Sequence, residues 1–239
     1  MTVNSVSLRL RDNLERIIAD TKPGDRLPSE PELSKQLGVS RATLREAMRA
    51  FEIQGMIRRR QGSGTYVNRP TQVIESGLEK LESIETMAER SGLLVRMGSW
   101  KVECRTVESQ VAQTLNLQMD QPVLCVSRVI LAEDRPVAYL VDYVPLDILT
   151  PEDLQTDFNG SILDLLEERD MPDLHAARTQ INAVTASIEV ARALGIQRGD
   201  ALLSFKSDLF LNNGRNVDHS YAYFLPGYFR FHVVRKLEI

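Results

Sequence analysis

The chain has 239 residues, 43% of them apolar, enough for two domains or one large one with substantial cores. No apolar run reaches the 18 residues of a membrane-spanning helix, and neither the two cysteines (Cys104, Cys125) nor the three scattered histidines have disulfide-framework or metal-ligand spacing. The net charge of −4 divides unevenly: residues 1–70 carry 13 Lys/Arg against 8 Asp/Glu, a balance of +5, and the rest 16 against 25, a balance of −9.

These features predict a cytoplasmic protein with no cofactor, no metal, no membrane association and no apolar leader in "MTVNSVSLRLRDNLERIIAD". A basic segment on an acidic body suggests a polyanion-binding module joined to something else.

In chain order, Leu10, Leu14, Ile17 and Ile18 recur with helical spacing and predict a helix over 5–20. "KPGDRLP" breaks it. Ser29, with Glu32 three residues on, forms a capping box for a helix that tolerates Pro31 in its first turn and ends at about Leu37, where Gly38 can turn left-handed. Ser40 caps a third helix running to about Gln54, stopped by Gly55. Two helices separated by Leu-Gly-Val-Ser form a helix-turn-helix pattern. Leu44, Ala47, Met48 and Phe51 make the buried stripe of the third helix. "MIRRRQGSGTYVN" then predicts two short strands, Met56–Arg60 and Thr65–Asn68, around a glycine-rich tip: a wing.

Arg41, Arg45 and Arg49 fall four apart and so share one face of the third helix. Aligned like charges repel, and phosphates flanking a major groove would offset that repulsion while the arginines reach guanine edges. Ser40 and Thr43 stand in the first turn, where hydroxyls reach phosphates. Arg58, Arg59 and Arg60 add charge on the wing. Gly62 and Gly64 let its tip approach a minor groove. A solvated basic face is the plain alternative for the arginines alone. The helix-turn-helix with its wing favours DNA.

The stretch "GDRLPSEPELSKQLGVSRATLREAMRAFEIQGMIRRRQGSGTYV" resembles the winged helix-turn-helix domain of GntR-family bacterial transcription regulators, over residues 8–68. The resemblance implies that Ser40, Arg41, Thr43 and Arg45 contact DNA and that Gly62 reaches the minor groove. Arg49 joins them by its helical spacing. In one departure, Pro31 stands where many members carry a DNA-contacting arginine, so some phosphate affinity of the second helix is expected to be missing.

Residues 69–77 read as a linker. Beyond it, "VAQTLNLQMDQPVLCV" (111–126) matches "VARALGIQRGDALLSF" (190–205) at an offset of 79, and "EDRPVAYLVDYVP" parallels "NNGRNVDHSYAYFLP". Each unit reads strand, short helix, two-strand hairpin, which predicts one antiparallel sheet with internal pseudo-symmetry and a cleft between its halves. With "SIETM" and "SILDLLEE", these segments resemble the UTRA effector-binding domain of HutC-type GntR regulators, a fold shared with chorismate lyase. The fold class is therefore α+β: a winged helix-turn-helix over 1–68 and a chorismate-lyase/UTRA-type antiparallel sheet domain over 78–239.

The resemblance implies effector contacts at Ser83, Ile84, Arg128, Ile130, Leu140, Ser161, Leu163, Asp218 and Phe224. Strand alternation puts Asp142 on the same face as Leu140 and adds it to the set. Sugar-phosphate-binding members carry arginine where this chain has Ile130 and an acid where it has Leu140. The expected effector is accordingly a small molecule with an amine or hydroxyl donor and an apolar portion, and a carboxylate facing Arg128. Tyr139, Tyr143, Tyr221 and Tyr223 read as core or interface residues.

The functional expectation is a ligand-responsive, DNA-binding repressor that pairs as a homodimer on a pseudo-palindromic operator. Two alternatives remain: a lyase-type enzyme with a DNA-binding appendage, and an effector-independent architectural DNA binder. No catalytic residues are assigned, because no nucleophile–base pair stands at recognisable spacing.

Overall fold

Helical spacing of Leu10, Leu14 and Ile18 buries all three in the first helix (α1, Val3–Asp20). The structure is a computed structural model and describes residues 3–60, 62–68, 74–118, 120–155, 158–169 and 174–235. It divides into two compact units at Val73/Ile74, with Pro226–Tyr228 grouped with the first.

In the first unit, α2 (Glu30–Leu37) starts at the capping box: the Glu32 carboxylate accepts from both the backbone N–H (2.8 Å) and the hydroxyl (2.7 Å) of Ser29. Those bonds hold the Glu32 carboxyl below its usual range. Gly38 ends the helix in the left-handed region at φ 65°. In α3 (Arg41–Ile53) the Ser40 hydroxyl accepts from the Thr43 N–H at 3.1 Å. Leu44, Met48 and Phe51 are buried and Ala47 half-buried, packed with Leu10, Leu14, Leu33 and Ile57 into one core. The wing is β1 (Ile57–Arg60) paired antiparallel with β2 (Gly64–Val67). "KPGDRLP" does more than break the chain. Gly24 N–H donates to Val67 O, Val67 N–H to Asp25 O and Leu27 N–H to Thr65 O, so the segment lies along β2 and braces the wing.

The expected linker is only partly one. Residues 69–73 lie outside the described residues, but Ile74–Gly77 forms a strand, β3, paired in parallel with β10 (Phe229–His232). Ile74 is fully buried, and burial of that side chain outweighs the linker character suggested by Arg-Pro-Thr upstream.

The second unit is built on a six-stranded antiparallel sheet of β4 (Val95–Arg105), β5 (Val123–Ala132), β6 (Arg135–Pro145), β7 (Leu174–Thr185), β8 (Ala201–Leu211) and β9 (Asn216–Phe224), in the order β4-β5-β6-β9-β8-β7. Helix α4 (Ile84–Arg90) precedes β4. α5 (Ser109–Thr114) follows it, and a 3-10 turn at Pro151–Leu154 and α6 (Ile162–Glu168) follow β6. α7 (Ile188–Leu194) follows β7. The two repeats are β4-α5-β5-β6 and β7-α7-β8-β9, and their central strands meet at Val141↔Tyr221. The β-bulges repeat as well. The register shifts between Ile130 and Leu131 on β5 and between Leu209 and Phe210 on β8, 79 residues later. The hairpin loops differ by one residue, Glu133-Asp134 against Asn212-Asn213-Gly214, so the correspondence shifts from 79 to 80 across them.

Alternation splits the sheet into two faces. The front carries Leu124, Val126, Arg128 and Ile130 on β5, Ala138, Leu140, Asp142 and Val144 on β6, and Asp218, Ser220, Ala222 and Phe224 on β9. There Leu124, Val126, Val144 and Leu209 pack with Ile162 and Leu166 of α6. The back carries the tyrosines and receives α5, whose Val111 packs with Leu115, Val123 and Tyr143.

Candidate functional site

The first candidate surface is the exposed side of α3 with the wing. Ser40, Arg41, Thr43 and Arg45 are all exposed at its N-terminal end. The Ser40 and Thr43 hydroxyls are 2.8 Å apart. Sequence reasoning leaves the arginine face nearly free of carboxylates except Glu46 and Glu52, and the structure adds Glu30. Glu30, the first residue of α2, lies 3.5 Å from Arg45 and 3.7 Å from Arg59, and Glu52 lies 3.6 Å from Arg59. Arg49 is set apart from its neighbours. Its side chain is 18% exposed against 61% for Arg45, and it pairs with Glu46 at 3.3 Å. Among the described residues Arg41 has no ion-pair partner. Arginine repulsion along α3 is thus relieved inside the protein for Arg45 and Arg49.

On the wing, Arg58 and Arg60 are exposed, and Arg60 stacks over the Tyr66 ring at 5.1 Å. Gly62 has φ 74° with open space around the position of a side chain, so conformation, not crowding, calls for glycine there. Gly64 differs: a side chain would strike the Arg26 guanidinium. Gln61 lies outside the described residues.

The second candidate lies on the front face of the sheet. Arg128, Asp142, Asp218 and Ser161 are all buried, and Leu140, Ile130 and Phe224 are buried beside them. Arg128 donates through Nη1 to Asp142 across the β5–β6 pair, so its first partner belongs to the protein. This revises the expectation that Arg128 waits for a ligand carboxylate. The N-termini of α4 and α6 meet here. Ser83 and Ser161 cap them, accepting from Thr86 N (3.1 Å) and Asp164 N (3.0 Å), and the Ser83 hydroxyl donates to Asp164 at 2.8 Å. The short contact thus joins two segments 81 residues apart. Ile84 and Leu163 are half-buried.

Sequence reasoning missed Glu85 and Asp164. Burial pushes the Glu85 carboxyl up, against the pull of Arg128. Burial, reinforced by the Asp142 charge, pushes Asp218 well above the usual range. Three buried atoms of this cluster have no hydrogen-bond partner among the described residues: Glu85 Oε1, Asp218 Oδ1 and Arg128 Nε. A first-turn acid two or three residues after a serine cap was the available signal for both missed residues.

The back face holds a cavity of about 390 Å³ lined by Tyr139, Tyr143, Tyr221, Tyr223, Arg105 and Glu189. These tyrosines therefore border open space as well as packing. Tyr139 donates to Glu189 at 3.0 Å, and Arg105 to the Tyr143 hydroxyl at 3.1 Å, so these groups already have partners. Burial pushes the Tyr139 hydroxyl up to about 12. A rung of one residue per strand, Glu103, Cys125, Tyr143, His219, Asp208 and Arg178, crosses this face. Burial pushes Asp208 up, but hydrogen bonds from Arg178 (2.8 Å) and His219 (2.6 Å) outweigh it and hold the carboxyl below its usual range. Buried His219 is held below its usual range by desolvation.

Residues 3–67 match the family model of bacterial regulatory proteins of the gntR family, and residues 93–230 match the UTRA domain. The HTH-type transcriptional repressor NagR of Bacillus subtilis is 30% identical over 203 residues, 84% of this chain and 82% of that one. This chain belongs to the GntR family. As a GntR regulator with a UTRA domain, it is a ligand-responsive, DNA-binding transcription regulator. The mannosyl-D-glycerate transport/metabolism system repressor MngR of Escherichia coli is 26% identical over 228 residues, covering 95% of this chain and 93% of MngR. Among solved structures, PhnF from Mycobacterium smegmatis shares the fold with a TM-score of 0.63 at 22% identity, over 96% of this chain and 100% of that one. Like the GntR relatives it matches, the chain pairs a helix-turn-helix head with an antiparallel effector sheet.

Proposed function

We propose that this GntR regulator is a cytoplasmic homodimeric repressor, not an enzyme, that releases a pseudo-palindromic operator when a small molecule occupies the front face of its sheet. Residues 1–68 form the DNA module, and the sheet unit that begins at Ile74 forms the effector and dimerisation domain. Ser40, Arg41, Thr43 and Arg45 at the start of α3 enter the major groove, and Gly62 meets the minor groove. Arg49, held by Glu46, serves phosphate attraction at most. The observation that carries this reading is the exposed, unpaired Arg41 beside two first-turn hydroxyls. The effector contacts are Ser83, Ile84, Arg128, Ile130, Leu140, Asp142, Ser161, Leu163, Asp218 and Phe224. Two-fold symmetric dimers match palindromic half-sites. The ligand acts only through differential affinity for DNA-competent and DNA-incompetent states.

Selection of binding sequences from a random DNA pool by the full-length protein tests this. A dyad-symmetric consensus, lost in the Arg41→Ala/Arg45→Ala double variant, is expected. A double variant that recovers the same consensus at the same affinity would overturn the assignment of α3.

A further inference from the structure

Charge on the front face is lopsided. Arg128 is the one cation acting on both Glu85 and Asp218 among the described residues, and Asp142 already takes its Nη1. Against it stand Asp142, Asp164, Asp218 and Glu85. Asp164 is engaged by Ser83. Asp218 is 7% exposed, and its Oδ1, like Glu85 Oε1, is a buried acceptor with nothing to accept. Buried polar atoms are ordinarily paired, so two unmet acceptors beside apolar Ile130, Leu140 and Phe224 ask for a donor from outside the chain.

We propose that the effector is an organic amine whose ammonium group sits between Asp218 and Glu85, with its apolar or hydroxylated remainder against Ile130, Leu140 and Phe224. This rests on the front face being the effector site. An ammonium group brings three donors and one positive charge, matching two carboxylates. A phosphate would face both carboxylates. Arg128 Nε could donate to it without leaving Asp142, but that single cation would stand against the phosphate and the carboxylates of Asp142, Asp218 and Glu85 together. Burial raises the Asp218 and Glu85 carboxyls in the ligand-free protein, and an ammonium group favours their ionised forms, so its entry drives protons from them to solvent over the pH range in which they titrate. The groups that set this exchange at Asp218 are Asp142, Arg128 and Ser220 on its own face and Asp208 from the opposite face, and at Glu85 they are Arg128, Asp164 and Asp142.

The test uses the full-length protein with two matched probe sets: glucosamine, glucose and glucose 6-phosphate, and 2-phenylethylamine, 2-phenylethanol and phenyl phosphate. Thermal shift and titration calorimetry in buffers of different ionisation enthalpy are the readouts. The amine of at least one set is expected to bind, with proton release and tightening as pH rises through the range in which the raised carboxyls titrate. Glu85→Gln and Asp218→Asn should each weaken it roughly tenfold or more, the scale of one charge-assisted hydrogen bond, with DNA affinity unchanged. Binding of a phosphate probe, lost in Arg128→Gln and without proton release, would overturn the amine and keep the site. No probe response that depends on Arg128, Asp218 or Glu85 would overturn the site reading as well.

Discussion

Arg41, Arg45 and Arg49 are equivalent by spacing and unequal in place, and that inequality predicts graded effects. Arg41→Ala and Arg45→Ala should each cost roughly 1–3 kcal/mol of operator affinity, while Arg49→Ala should cost less because Glu46 already holds it. Fluorescence anisotropy with an operator duplex checks the order; an Arg49 effect equal to that of Arg41 would contradict it. Glu30 sits between Arg45 and Arg59 and competes with phosphate for both. Glu30→Gln should therefore strengthen binding to nonspecific DNA. The third residue-scale prediction concerns Asp218, whose folded carboxyl lies well above its ordinary 3.8. The folded state keeps a proton that the unfolded chain releases, so this group's contribution to stability falls as pH rises above 3.8 through the folded value. Asn cannot ionise. Asp218→Asn should match the wild type in acid and become progressively more stable than it as pH rises above 3.8 in denaturant titrations. A constant difference across that range would contradict the buried-acid assignment.

At the scale of elements, legibility tracked the range of the interactions. Helices and caps are set by neighbours within four residues and the wing by pairs at most ten apart, so Ser29–Glu32, Gly38 and the Leu44/Met48/Phe51 stripe could be read from local patterns. The repeat was legible because its two halves share residues at fixed spacing. Glu30 as an arginine partner, the Ser83–Asp164 bond and the polar rung from Glu103 to Arg178 were not, because each depends on which distant segments meet. β3 was missed because four residues after a proline-containing stretch carry little periodicity, and their partner lies about 155 residues away. Two predictions belong here. Phe51→Ala should cost about 3–5 kcal/mol of stability, since that ring is 2% exposed in the head core. The β5–β6 turn holds Glu133 (φ 48°) and Asp134 (φ 65°) in left-handed conformations. Replacing them with Asn-Gly should stabilise by about 0.5–1 kcal/mol, even with the exposed Arg96–Asp134 pair lost, because exposed pairs contribute little. Thermal or urea unfolding reads both.

For the whole molecule, net charge and DNA affinity are decoupled because the charge is segregated. The chain as a whole carries −4, so a uniformly distributed charge would repel a duplex. Residues 1–70 carry +5, and Arg41, Arg45, Arg58 and Arg60 are exposed on α3 and the wing. If each of those four neutralises one phosphate, a dimer engages eight, and the slope of log K against log salt should be about −7 at 0.9 per phosphate. Salt enters this slope through counterions released from DNA, so the acidic remainder of the chain should leave it largely unchanged. That remainder should instead lower affinity for flanking DNA, because a body carrying −9 gains nothing from wrapping. A steep slope at the operator with weak binding elsewhere is the expected pair of results, read by anisotropy at several salt concentrations. Glu30→Gln, which frees part of the charge on Arg45 and Arg59, should steepen the slope. A flat salt response would show that the arginines of α3 and the wing do not meet phosphates. A slope near half the expected value would show that a single head engages the duplex, and would contradict the two-headed dimer.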